Sequence, residues 1–303
     1  MSYWYYPGCS LKSNGKPYEE SLLAVLRALN VPVRELDDWN CCGATSYMSV
    51  DEVQAFSLAA RNLALAEHAS RQTTEKGVPQ LIAPCAACFL VLTKTQRYVE
   101  QHEHLARRVH AGLAAVGLEY RGEVRVRHPL DVFLNDIGLP RIAELGKRRL
   151  AGMRVACYYG CQVVRPFATF DSAHNPTSMD RLVEALGAKA VRWPLKTRCC
   201  GGTLTGTIRD VGLRLSQLLL QEAVRRGVDA IVTVCPLCQF NLECYQQEIG
   251  RTLQEPFRMP VVFLTQLMGR AFGLPEEDLG MRRLFVPLAP ALARHEGGQP
   301  AHA

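Results

Sequence analysis

The 303-residue chain writes the same cysteine pattern twice. In the first half the order is Cys9, then Cys41-Cys42-Gly43, then Cys85-Ala86-Ala87-Cys88. In the second it is Cys161, then Cys199-Cys200-Gly201, then Cys235-Pro236-Leu237-Cys238. A repeated constellation constrains the fold more than any composition can, because one architecture must gather thiols from three distant stretches and do so twice. Ten of the twelve cysteines fall into these matched sets, and Cys157 and Cys244 are left over.

The stretches between the cysteines also follow one plan. Aromatic strand patterns precede Cys9 and Cys161, the second over residues 153–157. Apolar residues at helical spacing follow, over 18–30 and 178–187, with Gly187 as a C-terminal stop. Strand candidates 31–36 and 189–193 lead into the two Cys-Cys-Gly loops. Helices over 51–70 and 210–226 come next, each opening on an Asp suited to a positive helix N-terminus. Strands 80–83 and 229–234 run into the two CxxC motifs, and strand-to-helix segments 124–137 and 259–273 close the halves.

Strands alternating with helices predict an α/β fold of two pseudo-symmetric halves. Each half should be a small, largely parallel sheet flanked by helices, with its cysteines at the C-terminal ends of strands, where such sheets place ligands. The expected division is 1–145 and 146–293, joined by a polar helical connector at 141–151, with a disordered tail at 294–303.

Composition restricts the chemistry. There is no apolar run of about 20 residues and no basic, apolar leader, so a cytoplasmic protein without a membrane span is expected. Reducing conditions there disfavour structural disulfides, and clustered cysteines more often bind metal or do redox chemistry. The net charge of +6 is spread along the chain, its densest cluster being Lys147-Arg148-Arg149. It reads as a solvated surface, without the aromatic-plus-basic signatures of nucleic-acid modules. Neither a dinucleotide glycine fingerprint nor a P-loop is present.

Thiolates select both zinc and iron–sulfur clusters. Zinc takes four ligands in a tetrahedron, and a cubane cluster also takes four cysteines. Five matched thiols per half exceed either need. Adjacent cysteines diverge, which suits a larger cluster better than one ion, and the glycine after each pair would let the backbone come close and donate an amide. A dithiol redox site or a zinc site stays open for any single CxxC. Cys244 and Cys157 read as buried core thiols, and His128 and Lys196 as surface or core residues.

The duplicated pattern resembles the cysteine-rich CCG repeat. Around it, Tyr5-Tyr6-Pro7-Gly8-Cys9-Ser10-Leu11-Lys12, Asp38-Trp39-Asn40-Cys41-Cys42-Gly43-Ala44-Thr45, Asn175-Pro176-Thr177-Ser178 and Cys235-Pro236-Leu237-Cys238 are similar to the B subunit of heterodisulfide reductase. The resemblance covers roughly residues 1–270. It implies two [4Fe-4S] clusters of noncubane type, one on Cys9, Cys41, Cys42, Cys85 and Cys88, the other on Cys161, Cys199, Cys200, Cys235 and Cys238. It also implies disulfide reduction or formation, with electrons passing through a small [4Fe-4S] subunit and a flavoprotein subunit of one complex. Related complexes act on lipoate-bound sulfur or serve only in electron transfer, and both remain alternatives. The chain departs from the repeat in a long gap before Cys85, placed around 70–78, and in Gly201-Gly202 where the repeat has Gly-Ala.

Overall fold

The computed structural model describes residues 2–44, 48, 50–74, 77–147, 149–254 and 256–296. Its first sheet contains β1 (Tyr3–Tyr5), β2 (Val33–Glu35), β3 (Gln80–Ile82) and β4 (Arg125–Arg127), ordered β2-β1-β3-β4 with every pairing parallel. The second contains β5 (Arg154–Tyr158), β6 (Lys189–Ala190), β7 (Ala230–Thr233) and β8 (Val261–Phe263), ordered β6-β5-β7-β8 and again wholly parallel. The two halves therefore share one topology. The inner strands β3 and β7 are buried at every residue, as strands covered by helices on both faces must be. The edge strand β2 carries Arg34 and Glu35 outward, which discourages pairing with a further strand.

The helix starts have local causes. Asp51 caps the helix Glu52–Arg71, its carboxylate accepting from the Gln54 amide at 3.0 Å. The helix Arg209–Arg225 begins differently from the expectation. Ile208 occupies the cap position, and Asp210 sits inside the first turn, where it meets the positive helix end without closing it. The helices Ala86–Gln101 and Pro236–Cys244 both start within a CxxC motif, with Cys85 and Cys235 at their caps.

The chain forms two compact units, and neither is a continuous half. One comprises 1–13 and 30–129, the other 14–29 and 130–303. The division thus differs from 1–145 and 146–293 in two respects: the helix Lys16–Ala28 and the segment 130–145 both belong to the second unit. There Tyr18 stacks on Phe263 with ring centroids 4.6 Å apart and planes 6° apart. Ser21 and Thr265 share a buried hydrogen bond of 2.6 Å. Leu22, Val25 and Leu26 are at most 1% exposed. Burying three such side chains contributes roughly 5–8 kcal/mol as an upper estimate, enough to decide which unit holds the helix. The connector 141–151 also lies in this unit, beginning with the end of the helix Leu139–Gly146.

At residues 294–296 the structure differs from the disorder expected over 294–303. Residues 294–296 are the last turn of the helix Ala289–Glu296. Arg294 and His295 both reach the Asp229 carboxylate at 2.9 Å, and Asp229 also accepts from the Arg154 amide at the head of β5. Residues 297–303 lie outside the described residues. Among the described residues no helix is long and apolar enough to cross a membrane.

Candidate functional site

In the first unit β1, β2 and β3 all point the same way, so the loops that leave them emerge at one edge. Cys9 follows β1, Cys41 and Cys42 follow β2, and Cys85 and Cys88 follow β3. The order β2-β1-β3 reverses the direction of winding at β1, the crevice where open parallel sheets bind ligands. The five sulfurs meet there. Cys9 and Cys41 Sγ lie 3.7 Å apart, and Cys42 and Cys88 Sγ lie 3.4 Å apart. Cys41 adjoins Cys42, and Cys85 adjoins Cys88, through side-chain hydrogen bonds. These separations are far longer than a disulfide, and all the cysteines are free thiols.

The second unit repeats the arrangement. Cys161 and Cys199 are hydrogen-bonded, Cys200 and Cys238 Sγ are 3.6 Å apart, and Cys235 adjoins Cys238. Each set has a buried floor and an open rim. Cys42, Cys85 and Cys88 are buried while Cys9 and Cys41 are exposed. Cys200, Cys235 and Cys238 are buried, Cys199 is exposed and Cys161 is half-buried.

Hydrogen bonding among the thiols favours thiolate at particular positions. Cys42 is held well below the ordinary thiol range by hydrogen bonds from Cys41 and Cys88. Cys85 is lowered by Cys88 and by the amides of Cys88 and Ala87, at the positive end of the helix Ala86–Gln101. Cys199 is lowered to about 6 by Cys161, and Cys200 to about 7 by Cys238. The backbone helps at the same places in both units. The Gly43 and Ala44 amides donate to Cys41 and Cys42. Gly201 and Gly202 amides donate to Cys199 and Cys200 at 3.3 and 3.5 Å. The change from Gly-Ala to Gly-Gly therefore leaves this bond in place.

Two glycines that the spacing argument does not single out shape the sites further. Gly8 has φ +69°, and a Cβ on it would stand 2.8 Å from Cys88 Sγ. Gly160 has φ +67°, and its Cβ would stand 3.0 Å from Cys238 Sγ. Each leaves the space beside a buried sulfur that any side chain would fill. Their sequence signal is the shared Gly-Cys step at 8–9 and 160–161. The tyrosines two residues earlier are matched as well. Tyr6 Oη donates to the Asn40 carbonyl at 2.8 Å and Tyr158 Oη to the Arg198 carbonyl at 2.7 Å, pinning each paired-cysteine loop to its central strand. Buried Asn62 holds the first loop more firmly, accepting from the Asn40 amide at 2.9 Å and donating to the Asn40 carbonyl at 3.0 Å. Ser216 does similar work in the second, donating to the Cys200 carbonyl at 2.7 Å.

The remaining candidates are supports. His128 is fully buried, its pKa pushed down to about 3 by burial, and its Nε2 donates to the Pro84 carbonyl at 3.0 Å. Lys196 is buried and paired with Asp180 at 2.7 Å. Its ammonium also donates to the Pro176 carbonyl, and its own carbonyl accepts from the Tyr159 and Gly160 amides. Both residues hold backbone next to a cysteine. Cys157 is fully buried in β5, with no hydrogen bond to the ten matched thiols. Cys244 ends the helix Pro236–Cys244 and lines a separate cavity with Glu243 and Phe285.

These residues fit a thiolate-bound group larger than a single ion. Five thiols converge on each site, amides point at their sulfurs, and glycine clears the space beside the floor. Among the described residues no set of three or more cysteine, histidine or acidic side chains is placed to hold one metal ion.

Fold and thiol constellation together define a duplicated cysteine-rich domain of the α/β class. The chain belongs to the CCG cysteine-rich domain family, which matches it over residues 3–93 and again over 155–243. Relatives of nearly full length refine the placement. One, from Archaeoglobus profundus, is described as like the B subunit of heterodisulfide reductase; the chain is 30% identical to it over 290 residues, covering 93% of this chain and 94% of the relative. The chain is 26% identical over 292 residues to the B subunit of the ferredoxin:CoB-CoM heterodisulfide reductase of Methanosarcina mazei, with 95% and 94% covered. It is also 30% identical over 284 residues to the 8-methylmenaquinol:fumarate reductase membrane anchor subunit of Wolinella succinogenes, with 93% and 96% covered. A crystal structure of a hypothetical protein from Helicobacter pylori shares the fold, with a TM-score of 0.71 at 13% identity over 94% of this chain. The chain spans about half, 52%, of that structure.

Proposed function

We propose that the chain is the iron–sulfur catalytic subunit of a heterodisulfide reductase-like complex. It holds one noncubane [4Fe-4S] cluster on Cys9, Cys41, Cys42, Cys85 and Cys88, and a second on Cys161, Cys199, Cys200, Cys235 and Cys238. The observation that carries this reading is the five-thiol set formed twice, each with a buried floor and a solvent-open rim. An open rim of this kind gives a substrate sulfur access to the group. When bound, such clusters supply one-electron redox chemistry at iron.

The protein's own residues set the conditions. The buried sulfurs of Cys42 and Cys85, and of their counterparts Cys200 and Cys235, anchor each group from below. The exposed side, at Cys9 and Cys41 and at Cys199, leaves room for a sulfur substrate to approach. The amides after each cysteine pair offset negative charge as it accumulates. The overall reaction is balanced: a disulfide R–S–S–R′ takes two electrons and two protons and becomes R–SH and R′–SH. Two sites that each handle one electron match that requirement. A small [4Fe-4S] subunit and a flavoprotein subunit of the complex would deliver the electrons.

A second reading draws on the Wolinella succinogenes relative, named as a subunit of a quinol-linked reductase. In that case the chain relays electrons and binds no disulfide. Anaerobically purified protein should contain about eight irons and eight acid-labile sulfides per chain. With a reduced viologen dye it should cleave a heterodisulfide, releasing two thiols per two electrons. Iron-replete protein that ignores heterodisulfides and lipoate disulfides, yet is reoxidised by a quinone analogue, would establish the relay instead.

A further inference from the structure

The two sites are built alike but not charged alike. Three residues after the last cysteine of each set, the first unit has buried Val91 and the second has Asn241. Asn241 Nδ2 donates to Cys200 Sγ at 3.5 Å and to the Gly202 carbonyl at 2.9 Å, while its Oδ1 accepts from Thr205 at 3.1 Å. The amide is thereby fixed with one N–H aimed at a site sulfur. Valine has nothing to donate.

Four residues after the first cysteine, the first unit has Ser13 and the second has Arg165. Ser13 Oγ donates to the Cys9 carbonyl at 2.9 Å and adds no charge. The Arg165 guanidinium hydrogen-bonds the Thr197 carbonyl, which places its charge beside the loop two residues before Cys199. Directly before the paired cysteines, Asn40 in the first unit is matched by Arg198 in the second. The cation nearest in sequence to Cys9 is Lys12, which is paired with Glu35 at 2.8 Å.

Adding an electron makes a thiolate-bound cluster more negative. Hydrogen bonds to its sulfurs and nearby positive charge stabilise the reduced form and raise its reduction potential. We infer that the two sites are electronically unequal: Asn241 and Arg165 make the site of Cys161, Cys199, Cys200, Cys235 and Cys238 the more easily reduced, so the first electron resides there. This rests on the cluster assignment proposed above and adds an order of filling to it. Asn241 and Arg165 are positioning residues, acting through the sulfurs.

The test is a redox titration of the iron-replete full chain, followed by paramagnetic resonance. Iron and sulfide are counted first, so that loss of the clusters themselves is seen separately and would remove the reading beneath this one. The wild type should show two midpoint potentials. Asn241→Val and Arg165→Ser should each lower the higher one and leave the lower one in place, and Arg165→Lys should restore it. Val91→Asn, which places a donor at the matching position of the first unit, should raise the lower one. Coincident potentials in the wild type would overturn the inference. So would a higher potential unmoved by Asn241→Val and Arg165→Ser, or a response of the lower one to either.

Discussion

Replacing Gly8 by alanine isolates the requirement for close approach at the floor of the first site. Two costs follow from the geometry. At φ +69° an L-residue sits in the left-handed region, which costs roughly 1–2 kcal/mol. The new Cβ would also stand 2.8 Å from Cys88 Sγ and 3.4 Å from the Tyr6 ring, and overpacking of a tight interior costs about 1–3 kcal/mol. The sum, about 2–5 kcal/mol, is a large part of the ~5–15 kcal/mol that holds a typical protein folded. Gly117 supplies the control. It lies in the same unit with φ +72°, and nothing stands within 4 Å of an added Cβ. Gly117→Ala should therefore show the backbone cost alone. Urea unfolding of the metal-free proteins should place Gly8→Ala below Gly117→Ala by about 1–3 kcal/mol. After anaerobic reconstitution, Gly117→Ala should carry the full iron content and Gly8→Ala close to half. Gly8→Ala protein with wild-type iron and no less stability than the control would refute the claim that this glycine makes room for the sulfur.

Two further outcomes are expected. Asn62→Ala should cost roughly 1–3 kcal/mol, because it leaves the Asn40 amide without its partner, while the Asn40 carbonyl keeps its bond from Tyr6. A lowered urea midpoint with unchanged slope, and weakened iron retention at the first site only, would show it. Glu243 has its pKa raised from 4.5 to about 7, chiefly by burial, while its carboxylate accepts from the Val286 amide and from Gln239. The folded value exceeds the unfolded one, so the associated stability is present below about 4.5 and is lost as pH rises through about 7. Its size is of the order of 3 kcal/mol. Melting temperature against pH should flatten across that window in Glu243→Gln, and an unaltered profile would count against the assignment.

Much of this architecture can be read from the chain because its causes are local. Strand and helix patterns alternate with clear periodicity, and each cysteine cluster sits one loop beyond a strand. A parallel sheet then has to collect those loops at one edge. Other features have non-local causes and leave no such trace. Nothing near residues 16–28 announces that Tyr18 will stack on Phe263, since that preference depends on which apolar face lies across from it. The anchoring of Arg294 and His295 by Asp229 is equally remote in sequence. Gly8 and Gly160 are visible in the sequence only as members of a motif, because their role depends on a sulfur from another loop. Asp210 lies two residues beyond the capping position expected of it, a shift that local propensity alone does not resolve.

The helix Lys16–Ala28 carries a consequence for how the protein is made. Ser21 finds its buried partner in Thr265, 244 residues further along the chain. At a synthesis rate of ~5–20 residues per second, the ribosome needs roughly 10–50 s to produce that partner once the helix has been translated. For all that time Leu22, Val25 and Leu26 have no native surface to cover them. The nascent chain thus displays an early apolar stripe whose protection comes nearly last, which makes it a natural client for a ribosome-associated chaperone. A gene fragment ending at the midpoint would leave the stripe bare for good.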